Sequence, residues 1–205
     1  MNGGGALRIQ YLGAKLHSVR EAMNRLVVPR DDVDMNAILF MLNKTFFAGA
    51  IPFGQSAAFG WLPAGMMHEG ETVWTRSKGV RIWMHPFRVH PRDREPSVER
   101  PYARFEARIA ILLHELCHAF VMSYARRDDA ESWEFDVGKG GHGHVWQCLA
   151  MAIEDLVEKV MGLSLDLDRF HSLYLDKALR GRKTEKCEVE RYEFEKTRSG
   201  QGRGS

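Results

Sequence analysis

The 205-residue sequence predicts an α+β domain in which a small antiparallel sheet packs on helices. Three observations carry that expectation. Two stretches, from Pro101 to about Arg126 and from His142 to Gly162, repeat apolar residues at helical spacing. A shorter stretch after Asp34 does the same. Between Thr72 and His85, two runs rich in β-branched and aromatic residues flank Ser77-Lys78-Gly79, which is hairpin chemistry.

Taken in order, residues 1–30 open on a glycine run with scattered charges and read as an N-terminal extension. Asp34 can cap a helix over 35–48, where Ile38, Met41, Leu42, Thr45 and Phe46 recur on one side. Gly49 and Pro52 supply its end. Phe59 and Trp61 mark a short strand, and Pro63, Gly65 and Gly70 a loop before the hairpin. Pro86, Pro91 and Pro96 then define an irregular, charged connection. Pro101 is a favourable first position for a long helix whose stripe is Phe105, Ile109, Leu112, Leu116 and Phe120. Residues 127–141 are polar and glycine-rich. A second helix follows, with Trp146, Leu149, Ile153, Leu156, Val157 and Val160 on one side and Gly162 as its stop. The folded domain is thus expected over 31–179. A charged tail spans 180–205, in which Val189, Tyr192 and Phe194 are candidates to dock a short strand and the last residues are expected to be disordered.

An apolar share of 44% and a charged share of 27% are those of a globular protein. A net charge of +2 gives no compositional reason to invoke nucleic acid. The most apolar stretch, Ala37 to Phe53, is broken by Asn43 and Lys44 and makes a poor membrane span, so no membrane partner is expected. Cys117, Cys148 and Cys187 form no CxxC pair, and residues 1–12 lack the pattern of a signal peptide. The expectation is an intracellular protein, nuclear or cytoplasmic.

The most informative segment is His114-Glu115-Leu116-Cys117-His118, an HExxH inside an apolar run. Histidines four apart on a helix project about 40° from each other, so both imidazoles can reach one ion. Glu115 lies close enough to serve as general base on an attacking water. Polar groups interrupting an apolar run are costly unless they have a partner, which favours a metal over two idle histidines. The residue types point to one catalytic zinc ion and peptide-bond hydrolysis.

A catalytic zinc normally takes three protein ligands. The extended HExxHxxGxxH pattern fails, because Val121 stands where glycine is needed and Tyr124 where the third histidine is needed. Glu134 and Glu154 are conceivable distant ligands without distinctive surroundings. His142 is the better candidate, since Gly140, Gly141 and Gly143 around it let backbone approach the site closely.

His-Glu-Leu-Cys-His-Ala, a loop, and then His142-Gly143-x-x-Trp146 opening a helix resemble the SprT-like zinc metalloproteases, which include the Spartan DNA–protein crosslink proteases. The resemblance covers roughly residues 35–160 and takes in Phe59-Gly60-Trp61 and the hairpin near Lys78-Gly79-Val80. It implies a zincin-like fold, His114, His118 and His142 as zinc ligands, Glu115 as catalytic base, and a protein or peptide substrate. DNA enters as a candidate partner by the same resemblance, with Arg180, Arg182, Lys183, Lys186, Arg88, Arg92 and Arg94 as its weak support. His144 falls at a variable motif position and reads as a loop histidine. The 124–141 loop is longer than in compact members, and the tail is expected to hold no counterpart of the C-terminal zinc ribbon found in many of them. Two rival readings stand beside the crosslink-protease one. The first is a general intracellular zinc peptidase without DNA dependence. The second is a non-catalytic zinc-stabilised binding module, closed by a fourth ligand such as His144 or Cys117.

Overall fold

The computed structural model describes residues 34–54, 58–75, 77–87, 103–125, 130–181 and 192. The expected extension over 1–30, the connection holding Arg88, Arg92 and Arg94, and nearly all of the 180–205 tail lie outside these residues. The architecture is α+β, as the patterning requires. Helix α1 spans Met35–Phe46, strand β1 Phe59–Trp61, β2 Gly70–Thr75 and β3 Gly79–Met84. Helix α2 spans Ala103–Tyr124, α3 Ala130–Asp136, α4 His144–Met161 and α5 Arg169–Leu179.

Asp34 caps α1 as its side chain predicts, with its carboxylate accepting from Ala37 N at 3.0 Å. One turn from the other end, the buried Asn43 amide takes both backbone groups of Ile51, donating to its carbonyl at 3.1 Å and accepting from its N–H at 3.2 Å. Asn43 therefore substitutes for a strand partner that Ile51 lacks, and it turns the chain toward the sheet. Asn36 completes the junction by accepting from Phe59 N at 3.0 Å.

The hairpin forms where expected, with Thr75 opposite Gly79 and Gly70 opposite Met84. The sheet as a whole is not antiparallel, however. Its order is β1-β3-β2, and β1 runs parallel to β3 with Phe59 opposite Ile82. The reason lies in burial. Val80, Ile82 and Met84 of β3 are all fully buried, so the most apolar strand takes the centre. Polar Glu71 and Thr72 leave β2 at the rim, and the Leu62–Glu69 link carries the chain past β3 to reach it.

Helix α2 is the axis of the molecule. Ile109, Leu112, Leu113, Leu116, Cys117 and Ala119 are fully buried, which is wider than the single stripe predicted from spacing. The helix is covered by the sheet on one side and by α4 on another. Phe120 is only half-buried and rests on Phe47, ring centres 5.9 Å apart. Gly162 ends α4 in the left-handed conformation at φ 64° and its N–H returns to Glu158 O at 3.0 Å, the predicted stop.

Two elements were not anticipated. Within the expected polar loop, Ala130–Asp136 forms the short helix α3, and Trp133 packs on the core. After α4 the chain runs extended through 163–168, burying Leu163, Leu165 and Leu167 while Ser164, Asp166 and Asp168 face outward. It then forms α5. Tyr192 from the tail is buried against Leu173 of α5 and Cys148 of α4 in a turn, not a strand.

Candidate metal centre

The three predicted histidines come together. Helix α2 presents His114 and His118 one turn apart, and the glycine-rich turn before α4 brings in His142. Their Nε2 atoms stand 3.2 Å apart for His114 and His118, 3.0 Å for His118 and His142, and 3.2 Å for His142 and His114. The Trp146 ring closes the triangle from the protein side, its centre 4.7 Å from His114, 5.5 Å from His118 and 4.7 Å from His142. Trp146 is thus a fully buried packing residue one turn after the ligand it supports.

What the rings do with their other nitrogens decides the chemistry. His114 Nδ1 lies 2.8 Å from the Leu167 carbonyl, which can only accept, so the proton sits on Nδ1 and the Nε2 lone pair faces inward. The His118 ring is hydrogen-bonded to the Gly141 backbone in the same sense. Gly141 has φ +81°, and a β-carbon there would meet the His118 ring at 3.0 Å, so glycine is needed for both conformation and approach. Gly140 N donates to the buried Asp176 carboxylate at 2.7 Å, which ties the His142 loop to α5.

All three imidazoles are held neutral. Burial drives His114 down to about 4, partly opposed by Leu167. Burial and then its two histidine neighbours put His118 well below the ordinary value. Burial, His114 and His171 take His142 to about 3. Neutral imidazole is the metal-binding form. Three lone pairs converging at 3.0–3.2 Å repel one another unless a cation sits among them. Tetrahedral zinc at about 2.0–2.1 Å from each nitrogen requires nitrogens about 3.3–3.4 Å apart, close to the spacing present. An all-imidazole set fits zinc or another late transition metal and not magnesium or calcium.

Glu115 is buried beside this triangle. The Thr72 hydroxyl stands 2.7 Å from Oε2 and 2.8 Å from the Glu115 backbone carbonyl, and its one proton serves either acceptor in turn. Burial lifts the carboxyl to about 7, with the Thr72 hydrogen bond pulling the other way. Gly70 flanks the same carboxylate so closely that a β-carbon would lie 2.6 Å from Oε1. Strand β2 therefore shapes the surroundings of Glu115 through two residues that the sequence reading treated only as strand and loop.

His114, Glu115 and His142 open onto a cleft of about 630 Å³. Met67, Gly70 and Ile111 line one part of it, and Asp166, His171 and Leu175 another.

No family model, curated protein or solved structure gives a significant match to this chain.

The rival ligands are all engaged elsewhere. His144 Nδ1 meets the Tyr192 hydroxyl at 3.0 Å and lies 3.8 Å from Cys148 Sγ. Glu154 accepts from Leu167 N at 2.8 Å and from Arg169 Nε at 2.6 Å, while exposed Glu134 accompanies Arg180. Cys117 is fully buried, and burial pushes its thiol well above the ordinary range. Tyr124 donates to the Ala50 carbonyl at 2.5 Å. Among the described residues, the cluster that could hold a metal ion contains three histidines and no fourth donor. Arg180, part of the basic set considered for DNA, donates to Asp176 at 3.0 Å and to the Glu134 carbonyl, so it serves the fold. Of the strand tryptophans, Trp61 and Trp74 pack on the core and Trp83 carries the Arg81 guanidinium 4.7 Å above its ring.

Proposed function

We propose that this protein is a zinc-dependent endopeptidase of SprT-like type. The observation that carries the reading is the open triangle of neutral imidazoles with a buried, protonatable carboxylate beside it. A closed structural site has a fourth protein ligand and no use for that carboxylate, so this arrangement favours hydrolysis over the binding-module alternative. A zinc ion held by His114, His118 and His142 would supply Lewis acidity toward the scissile carbonyl and would lower the pKa of the attacking water.

The rest falls to the chain. Glu115 takes the proton of the attacking water and delivers it to the departing amine. Thr72 holds the carboxylate through Oε2, and Glu115 lines the cleft. Trp146 backs the three imidazoles from the protein side. Strand β2 is an outer strand and Gly70 at its start lines the cleft, so an extended substrate backbone can lie alongside it by strand addition. DNA-bound or DNA-crosslinked proteins are the first substrate class to examine, on the strength of the motif resemblance. A general intracellular peptidase without DNA dependence is the competing enzyme reading. No helix among the described residues is long and apolar enough to cross a membrane.

The test is cleavage of a protein substrate by zinc-loaded protein, with and without single-stranded or junction DNA, beside Glu115→Gln. The variant is expected to keep zinc and to lose about 10²–10⁴-fold in rate. Undiminished cleavage by the variant would refute the assignment of the base, and indifference to DNA would favour the general peptidase.

A further inference from the structure

The imidazole of His114 is oriented by a carbonyl far along the chain, and that carbonyl has its own chain of supports. Leu167 is fixed at both of its backbone groups. Its carbonyl meets His114 Nδ1 at 2.8 Å, and its N–H donates to Glu154 Oε1 at 2.8 Å. The other Glu154 oxygen takes Arg169 Nε at 2.6 Å, in a pair with side-chain exposures of 5% for Arg169 and 11% for Glu154. Arg169 Nη1 then donates to the Tyr192 carbonyl at 3.0 Å. Tyr192 in turn is buried and reaches His144, two residues from His142, through its hydroxyl at 3.0 Å.

One further observation gives these contacts a purpose. Asp168, between Leu167 and Arg169, sits at φ 58°, ψ 32°, in the left-handed region that L side chains other than Asn and Asp rarely adopt. The turn is held from both sides, since Glu154 holds Leu167 and Arg169 is held by Glu154, Tyr192 and the Gln147 amide on its own carbonyl at 3.1 Å. The position of the Leu167 carbonyl against His114 therefore depends on these contacts.

We propose that Arg169 and the tail residue Tyr192 are positioning residues of the metal centre, acting through Glu154 and Leu167 on the tautomer and orientation of His114. The tail segment at Tyr192 is then part of the site's scaffold and not an appendage. This rests on the metal reading given above. Hydrogen-bond partners of ligating histidines typically govern metal affinity by about 10–100-fold.

The test uses the full chain and three variants, Arg169→Met, Tyr192→Ala and Tyr192→Phe. Zinc affinity is measured by competition with a chromophoric chelator, and ligand geometry by the visible spectrum of the cobalt-loaded protein. Arg169→Met is expected to weaken zinc about 10–100-fold and to alter the cobalt bands. Tyr192→Ala shifts both in the same direction by several-fold. Tyr192→Phe keeps the ring and the carbonyl that Arg169 uses, and restores wild-type behaviour within about twofold, as the smaller change to that partner implies. Folded Arg169→Met and Tyr192→Ala proteins with wild-type affinity and spectrum would overturn the proposal, even if their melting points fall. If Arg169→Met does not fold, Tyr192→Ala decides alone. A Tyr192→Phe variant as impaired as Tyr192→Ala would overturn the route through the carbonyl. Wild-type protein that binds no zinc abolished by His142→Ala would refute the metal reading itself, whereas wild-type binding with unchanged variants refutes only the positioning role.

Discussion

Gly70→Ala separates the proposed role of Glu115 from the proposed binding of a metal. The added β-carbon would stand 2.6 Å from Glu115 Oε1, 2.9 Å from Cγ and 3.0 Å from Cδ. Ordinary van der Waals contact begins near 3.4 Å, so the carboxylate must retreat by roughly half an ångström to one ångström or turn about its side-chain bonds. Either motion breaks the 2.7 Å hydrogen bond from Thr72, because the hydroxyl is on the same strand as the intruding methyl. Misplacement of a reacting group by about 1 Å can cost about 10²-fold, and complete loss of a general base about 10²–10⁴-fold. A fall of about 10²-fold in kcat is therefore expected. The nearest atoms to the new methyl all belong to Glu115 and none to an imidazole, so zinc affinity should stay within a few-fold of wild type. The assay is steady-state cleavage of a quenched-fluorescence protein substrate beside chelator competition for zinc. Cleavage within about threefold of wild type, or a loss of zinc that accounts for the loss of rate, would refute the placement of Glu115 against β2.

Zinc at a hundredfold excess over its Kd should stabilise the fold by about 2.7 kcal/mol and raise the melting point by roughly 5–10 °C, and His142→Ala should abolish the rise in a thermal scan. Asp176→Ala removes the buried acceptor shared by Gly140 N and Arg180 Nε, and should cost about 3 kcal/mol in urea unfolding while also weakening zinc. Leu112→Ala empties a fully buried position on the far side of α2 from the imidazoles. It should cost about 2–5 kcal/mol with zinc affinity retained, read as a lower urea midpoint at unchanged slope.

How far the sequence could be read follows from how far apart the interacting residues lie. HExxH is legible because a helix turns positions i, i+1 and i+4 into one site without help from the rest of the chain. His142 is legible because glycines advertise close backbone approach, and Gly141 at φ +81° against the His118 ring confirms that physical reading. The hairpin is local as well. By contrast, Thr72 and Gly70 reach Glu115 across more than forty residues, and nothing in β2 itself signals that contact. The parallel pairing of β1 depends on the path of the Leu62–Glu69 link, which strand composition does not encode. Helix α5 was obscured for a different reason. Arg169 and Asp176 are charged, so composition places them outside, yet each is almost completely buried against partners from α4, the Gly140 turn, Arg180 and Tyr192. The alternation Leu163-Ser164-Leu165-Asp166-Leu167-Asp168 was a usable signal of a half-buried extended segment, and the buried leucines follow it.

The distribution of these supports bears on whether zinc serves folding or chemistry. Each ligand ring is steadied from a different place: His114 by Leu167 beyond α4, His118 by Gly141, and the His142 loop by Asp176 of α5. Such a site can assemble only when α2, α4 and α5 are already docked. Small modules that need zinc to fold are built the other way, with ligands close in sequence and little core. Here one continuous core joins α1, the sheet, α2 and α4, and Leu39, Ile82, Leu112 and Val157 are completely buried on four different elements. Apolar burial on that scale is the dominant favourable term in folding. The apoprotein is therefore expected to remain folded after chelation, with native far-ultraviolet dichroism and a cooperative melt lowered by no more than the binding energy of the metal. A chain that unfolds on chelation would place the zinc among structural ions and would favour the binding-module reading; a chain that stays folded and loses cleavage assigns the ion to catalysis.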